Sequence, residues 1–254
     1  MKRLILPVLL VLLFVECKKE ESQPVTVTKK EQTLVGEWDN FQQVWLENTD
    51  TELHRMAVEE KHTHYHLSIT SDIEDANTVV MEIREGRNGK NSVGKQKFSK
   101  DSLLGLDRVQ LRGDTLSIQG LAPFDTGGEP YKFIRTRTFS GWIQYPLEQY
   151  GDSVYFQRGL MLHDQGGMVA LDIEGVDYTV ELTQLVYGKR IKLMKIAIYD
   201  IPLDSVGINS KSISYAWTSP EARRLGINLR KIVSGWTLVE PEALDKEDTT
   251  TQKH

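Results

Sequence analysis

Only one cysteine, Cys17, occurs in 254 residues. A disulfide within the chain and a thiolate metal site are therefore excluded, and the fold rests on its apolar core. Basic charge is not in excess: 31 Lys and Arg against 36 Asp and Glu give a net charge of −5. That balance lacks the electrostatic footprint of a nucleic-acid surface, so no nucleic-acid partner is expected. The chain has no Gly-x-Ser-x-Gly nucleophile elbow and no Gly-rich phosphate loop followed by Lys. Its carboxylates form no pair that stands out as a glycosidase acid and base. The one long apolar run, residues 4–15, is shorter than the roughly 20 residues a membrane-spanning helix needs.

That run follows Lys2 and Arg3 and ends at Glu16-Cys17. A basic start, a short apolar segment and a lone cysteine read as a lipoprotein signal, residues 1–16, with Cys17 as the lipidated first residue of the mature chain. Because Glu16 is not a small residue, an ordinary signal peptide cut elsewhere, or an uncleaved anchor, is the competing reading. Residues 17–33 are rich in Lys, Glu, Ser and Thr and read as a flexible tether. The segment Lys18-Lys19-Glu20-Glu21-Ser22 resembles the charged export signal of Bacteroidetes lipoproteins. The expected partners are thus a membrane, through the N-terminal lipid, and a small molecule. The expected location is the cell envelope, at the outer membrane. A single domain is expected over residues 34–240, with a disordered polar tail over 241–254.

Within that domain the dominant pattern is period two. Thr63, Tyr65, Leu67 and Ile69 alternate with His62, His64 and His66. Val79, Met81 and Ile83 alternate with Val80, Glu82 and Arg84, and Leu116 and Ile118 with Ser117 and Gln119. Phe133, Arg135, Arg137 and Phe139 follow the same rule. Further strands are expected at 140–145, 153–156, 168–173, 178–187, 191–199, 212–217 and 232–239. Turn residues separate them, as in Arg87-Asn88-Gly89, Arg112-Gly113-Asp114 and Asp164-Gln165-Gly166-Gly167. About ten strands joined by tight turns predict an all-β antiparallel fold that closes into a barrel or sandwich, because open edges aggregate. One or two short helices are expected: one at 219–226, capped by Ser219 with Pro220 at its first position and ended by Gly226, and one at 50–59.

Four groups carry candidate chemistry. Gly36-Glu37-Trp38 would let a bulky indole fill the narrow end of a barrel, with Gly permitting the tight approach. His62, His64 and His66, alternating on a strand, would project from one face. They could share a divalent metal with Glu82 or His54 as a further ligand, or form a hydrogen-bonded polar face. Arg135 and Arg137, beside Tyr131, Lys132 and Trp142, could grip a ligand carboxylate if their face lines an interior, or lie in solvent if it does not. His163-Asp164 is read as a turn, with Asp164 bonding its own backbone.

The opening Gly36-Glu37-Trp38-Asp39-Asn40-Phe41-Gln42-Gln43 resembles that of the CpcT/CpeT family of phycobiliprotein chromophore lyases. The His-bearing strand, Met81-Glu82-Ile83 and Lys95-Gln96-Lys97-Phe98 follow in a similar order, over about residues 34–112. Lysines stand where the family has arginines. The resemblance implies a calycin or lipocalin-like barrel, with Gly36, Trp38, Asn40 and Gln43 as structural positions and a tetrapyrrole as a possible cofactor. The leading expectation is a lipid-anchored barrel that binds a small, partly apolar ligand through His64, Glu82, Lys95, Arg135, Arg137 and Trp142. The alternatives are an enzyme, chromophore-lyase-like or metal-dependent, and a surface assembly or adhesion module. Intact mass spectrometry of the envelope-extracted protein should show a chain beginning at Cys17 with added acyl mass. An unmodified residue at the start would refute the anchor.

Overall fold

A computed structural model describes residues 33–46, 49–50, 55–56, 62–87, 89–105, 108–125, 128–147, 152–187, 191–207, 210–229 and 232–240. The expected signal, Cys17, nearly all of the tether and the C-terminal tail lie outside these residues. The strands of the first half are β1 (Gly36–Asp39), β2 (Thr49–Asp50), β3 (Arg55–Met56), β4 (Tyr65–Ser71), β5 (Thr78–Glu85), β6 (Asn91–Ser99), β7 (Val109–Arg112), β8 (Thr115–Ile118) and β9 (Tyr131–Arg135). Those of the second half are β10 (Thr138–Pro146), β11 (Val154–His163), β12 (Gln165–Ile173), β13 (Val176–Tyr187), β14 (Ile191–Tyr199), β15 (Ser214–Thr218), β16 (Arg224–Leu229) and β17 (Ile232–Leu238).

The strands of the first half, apart from the small β2–β3 pair, form a seven-stranded antiparallel sheet in the order β6-β5-β4-β1-β9-β8-β7. The sheet curls strongly into a half-barrel. Its two edge strands are consecutive in the chain and are joined through the short helix α1 (Lys100–Leu104), whose Leu103 is buried in the same core. That core fills the hollow with Trp38, Leu67, Ile69, Met81, Ile83, Leu116, Phe124, Tyr131 and Phe133, all nearly inaccessible. Trp38 donates its indole N–H to the Leu34 carbonyl at 3.0 Å. Arg135 lies 4.1 Å over its ring and bonds the Val35 carbonyl. Gly36 makes this approach possible: at φ +141° it has no Cβ, and one there would fall 2.4 Å from the Arg135 guanidinium.

The second half has its own core between two four-stranded sheets, β11-β10-β17-β16 and β12-β13-β14-β15. The chain enters through only Thr136 and Arg137, between β9 and β10. It crosses from one sheet to the other at Asp164, between β11 and β12. Gly166 forms a bulge just beyond, at φ +78°, and a Cβ there would strike the Phe41 ring at 2.4 Å. Turn chemistry in Asp164-Gln165-Gly166-Gly167 thus also seats an aromatic ring of the first half.

Three expectations are corrected. Residues 219–226 do not form a helix. Ser219 caps only a local turn through Glu221 N–H, and 224–229 pair as β16 with β17. Gly226 sits against the Ser234 carbonyl, where any Cβ would collide, so the glycine serves strand packing. In the stretch expected as a helix at 50–59, Asp50 and Arg55–Met56 belong to the β2–β3 pair, and the rest lies outside the described residues. Phe133 and Phe139 do not share a face, because they belong to different sheets and different cores. Replacing Gly166 by Ala should cost about 2–4 kcal/mol from overpacking and left-handed strain, read as a lower urea midpoint at unchanged slope.

Candidate functional site

The alternation on β1 and β4 assigns the two faces. Trp38, Tyr65, Leu67 and Ile69 point into the half-barrel core, which leaves Glu37, Asp39, His66 and Ser68 on the opposite face. The second half packs there through His163, whose ring lies 5.1 Å from that of His66. Asp39 is the centre of the group, 1% exposed. Its Oδ1 accepts from Phe41 N–H at 2.6 Å and faces His64 Nε2 at 2.8 Å, and its Oδ2 faces His66 Nδ1 at 3.1 Å. Trp45 donates its indole N–H to His64 Nδ1 at 3.3 Å, so the His64 N–H is the one aimed at Asp39. His66 Nε2 reaches Glu37 at 2.9 Å, and Ser68 donates to the other Glu37 oxygen.

These contacts shift the titrations. Burial of Asp39 opposes ionisation, but His64 and then His66 outweigh it and hold the carboxyl well below the usual carboxylate range. Burial also opposes a charged His66, yet its bonds to Asp39 and Glu37 raise it to about 9. Burial pushes His163 down to about 4, only partly offset by the charge of Asp39. Burial would raise Glu37, but His66 and Ser68 lower it.

Asp164 supports this corner from the second half. Its fully buried carboxylate accepts from Arg137 N–H (3.0 Å), Arg137 Nε (2.7 Å), Gln165 Nε2 (3.3 Å) and Gln184 Nε2 (2.8 Å). Gln42 on the π-helical turn Gln42–Leu46 donates to Gln165, joining the two halves again. Beside the cluster, two clefts of about 280 and 320 Å³ share Trp45, Glu85, Gly86 and Arg87. The first also has Met168 and Val206 in its wall, and the second has His62 and His64. Arg87 lies 5.1 Å over Trp45 and 5.5 Å over Phe41, and pairs with Glu181, which also accepts from Tyr199.

The residues expected from the sequence are dispersed. His64 lies at both the cluster and a cleft. His66 is in the cluster, but His62 bonds Gln43 and the Glu129 carbonyl instead. The three histidines therefore do not converge on one point: His64 and His66 share the Asp39 carboxylate, and His62 packs on Tyr131 instead. Glu82 pairs with Arg84, and exposed Lys95 lies opposite it on β6. Arg135 covers Trp38, and Arg137 is held by Asp164. Trp142 is on the second half, partly exposed against Phe156 and stacked over Gly235. Asn40 bonds the Thr63 carbonyl and Tyr65 N–H, and Gln43 bonds the Pro130 carbonyl and Lys132 N–H. Both side chains act as backbone clamps.

Sequence reasoning missed Asp39, Glu37, Arg87 and His163. The signal for the first two was present: Glu37 and Asp39 share a parity opposite to Trp38. His163 stood out beside Asp164 but was read as part of a turn, since its partners are remote in the chain; the Asp164 carboxylate bonds Arg137, Gln165 and Gln184 and not its own backbone. No family model matches this chain, and no curated protein or solved structure matches it.

The two histidines set opposite pH limits. His163 has a folded pKa below 6.5, so its stability contribution is complete above pH 6.5 and lost as pH falls toward 4. His66 has a folded pKa above 6.5, so its contribution is complete below pH 6.5 and lost as pH rises toward 9. Urea midpoints in chelator should peak near neutrality and fall on both sides. His66→Gln should flatten the alkaline side.

Proposed function

We propose that this chain is a lipid-anchored binding protein of the cell envelope that takes a small, partly apolar ligand at the joint between its two β halves. The observation that carries the reading is where space and chemistry coincide. The half-barrel hollow is filled by its own side chains, whereas the first of the clefts at Trp45, Glu85, Gly86 and Arg87 opens at the joint, and the second lies beside it on the half-barrel side. An indole, a guanidinium stacked on two rings and the apolar side chains of Met168 and Val206 suit a ligand with a flat or aliphatic body and an acidic group. Volumes near 300 Å³ are at the small end of ligand sites, which favours a compact amphiphile over a four-ring tetrapyrrole and weighs against the chromophore-lyase reading. The calycin-like relationship is retained as part of the proposal, supported by the curled antiparallel sheet and the buried Trp38 behind Gly36.

Titration of the protein, in chelator, with medium-chain fatty acids, aromatic carboxylates, haem and bilins tests this through tryptophan fluorescence. A compact carboxylate should bind with micromolar affinity, and Trp45→Ala should weaken it about tenfold or more. Binding of none of these, or binding unaffected by Trp45→Ala, would overturn the reading.

A further inference from the structure

We propose that Asp39, His66 and His163 form a binding site for one divalent transition-metal ion, of the zinc type. One ligand atom from each lies within 4.8 Å of the other two. Asp39 Oδ2 and His66 Nδ1 are already 3.1 Å apart. Two ligands on one tetrahedral zinc stand about 3.3 Å apart when each bond is near 2.0–2.1 Å, so this edge of the polyhedron exists without rearrangement. The third ligand is a ring nitrogen of His163. The Nδ1 of that ring is buried and has no hydrogen-bond partner among the described residues. A buried polar atom left without a partner is uncommon and calls for an explanation; a ligand site supplies one.

The surroundings match what a metal needs beyond its first ligands. His66 presents Nδ1 to the site while Nε2 faces Glu37, whose other oxygen is held by Ser68. A carboxylate behind a ligating imidazole fixes the ring orientation and raises its basicity. Asp39 is fixed in the same way, since Phe41 N–H and His64 occupy Oδ1 and leave Oδ2 for the ion. The ion displaces the proton between Asp39 and His66 Nδ1, which is released to solvent. Glu37 is 43% exposed and His66 13%, so solvent reaches the outer side of His66, and a water from that side would be the fourth ligand. Two imidazoles and a carboxylate suit zinc, cobalt or ferrous iron and disfavour calcium or magnesium, which prefer all-oxygen sites.

The site spans the joint. Asp39 and His66 belong to the half-barrel, and His163 to the end of β11 in the second half. A bound ion therefore links the two halves through coordination bonds. It replaces the expected His62, His64 and His66 set, keeping only His66. His64 becomes a positioning residue behind Asp39, and His62 stands outside.

This inference is independent of the cleft ligand: zinc is titrated without ligand, and the ligand in chelator, so either can fail alone. Full-length protein stripped with EDTA and dialysed should bind one equivalent of zinc by calorimetry, with a dissociation constant below about 10 μM. Cobalt should give the visible spectrum of a four-coordinate site. His163→Gln should weaken zinc binding by a hundredfold or more and Glu37→Gln by about tenfold, with His62→Gln unchanged. Zinc should raise the melting temperature of the parent protein and of His62→Gln but not of His163→Gln. X-ray absorption of the parent zinc form needs no variant, and should show two imidazoles with oxygen ligands. Failure to bind zinc at about 1 mM, undiminished binding in His163→Gln, loss in His62→Gln, or three imidazoles in the absorption spectrum would each overturn the proposal.

Discussion

A carboxylate removed from water needs a partner for each oxygen, and Asp39 is so placed on the face of the half-barrel against which the second half rests. Leaving such a charge unpaired costs several kcal/mol. The neighbouring arrangement follows from that requirement. The chain turns at Phe41 so that its N–H meets Oδ1, His64 and His66 converge on the two oxygens, and Trp45 fixes the orientation of His64. The strand that buries Trp38 in the hollow turns Asp39 to the other side, so one short segment serves both the core and the joint.

Asp164 repeats the device from the second half. It is fully buried, takes four donors and fastens the two-residue passage between the halves through Arg137. Gly166 and Gly167 follow because Phe41 and the His163 backbone occupy the space where side chains would stand. The two main apolar cores, each packed within its own half, thus meet through a layer of polar groups that also holds the buried Phe41 ring. Apolar contact is tolerant of sliding, whereas the directional contacts that cross the joint, Gln42 to Gln165 and Arg87 to Glu181 and the Val206 carbonyl, specify one relative placement. The same layer holds the imidazoles and borders the clefts, which is why the candidate chemistry lies at the joint and not in the hollow.

Much of the fold was legible because its signals are local. Period-two alternation located most strands; in the opening segment Trp38 is buried behind Gly36, and Asn40 and Gln43 bond neighbouring backbone. The misreadings were also local in origin. Ser219-Pro220 looks like a helix start, but the residues after it pair with Ile232–Leu238, and strand pairing outweighs a capping preference. Helix α1 went unread because one turn after Ser99 is too short to show a period. His62, His64 and His66 alternate in sequence, and His64 and His66 do meet at Asp39, but β4 starts at Tyr65 and His62, three residues before it, turns to Gln43 and Tyr131.

The sequence by itself determined that the domain is antiparallel β, that no disulfide or thiolate supports it, and that Leu67 and His66 lie on opposite sides of one strand. These properties depend on residue type and on neighbours two positions away. Only the tertiary structure decided which side faced the core and which met the second half. It also brought His163 to His66 and Asp39, about a hundred positions earlier, and Asp164 to the inter-half passage. Such meetings are set by how two curved layers pack, and the contacts that hold the layers together, such as Arg87 with Glu181 and the Phe41 ring at Gly166, join residues that no local pattern relates.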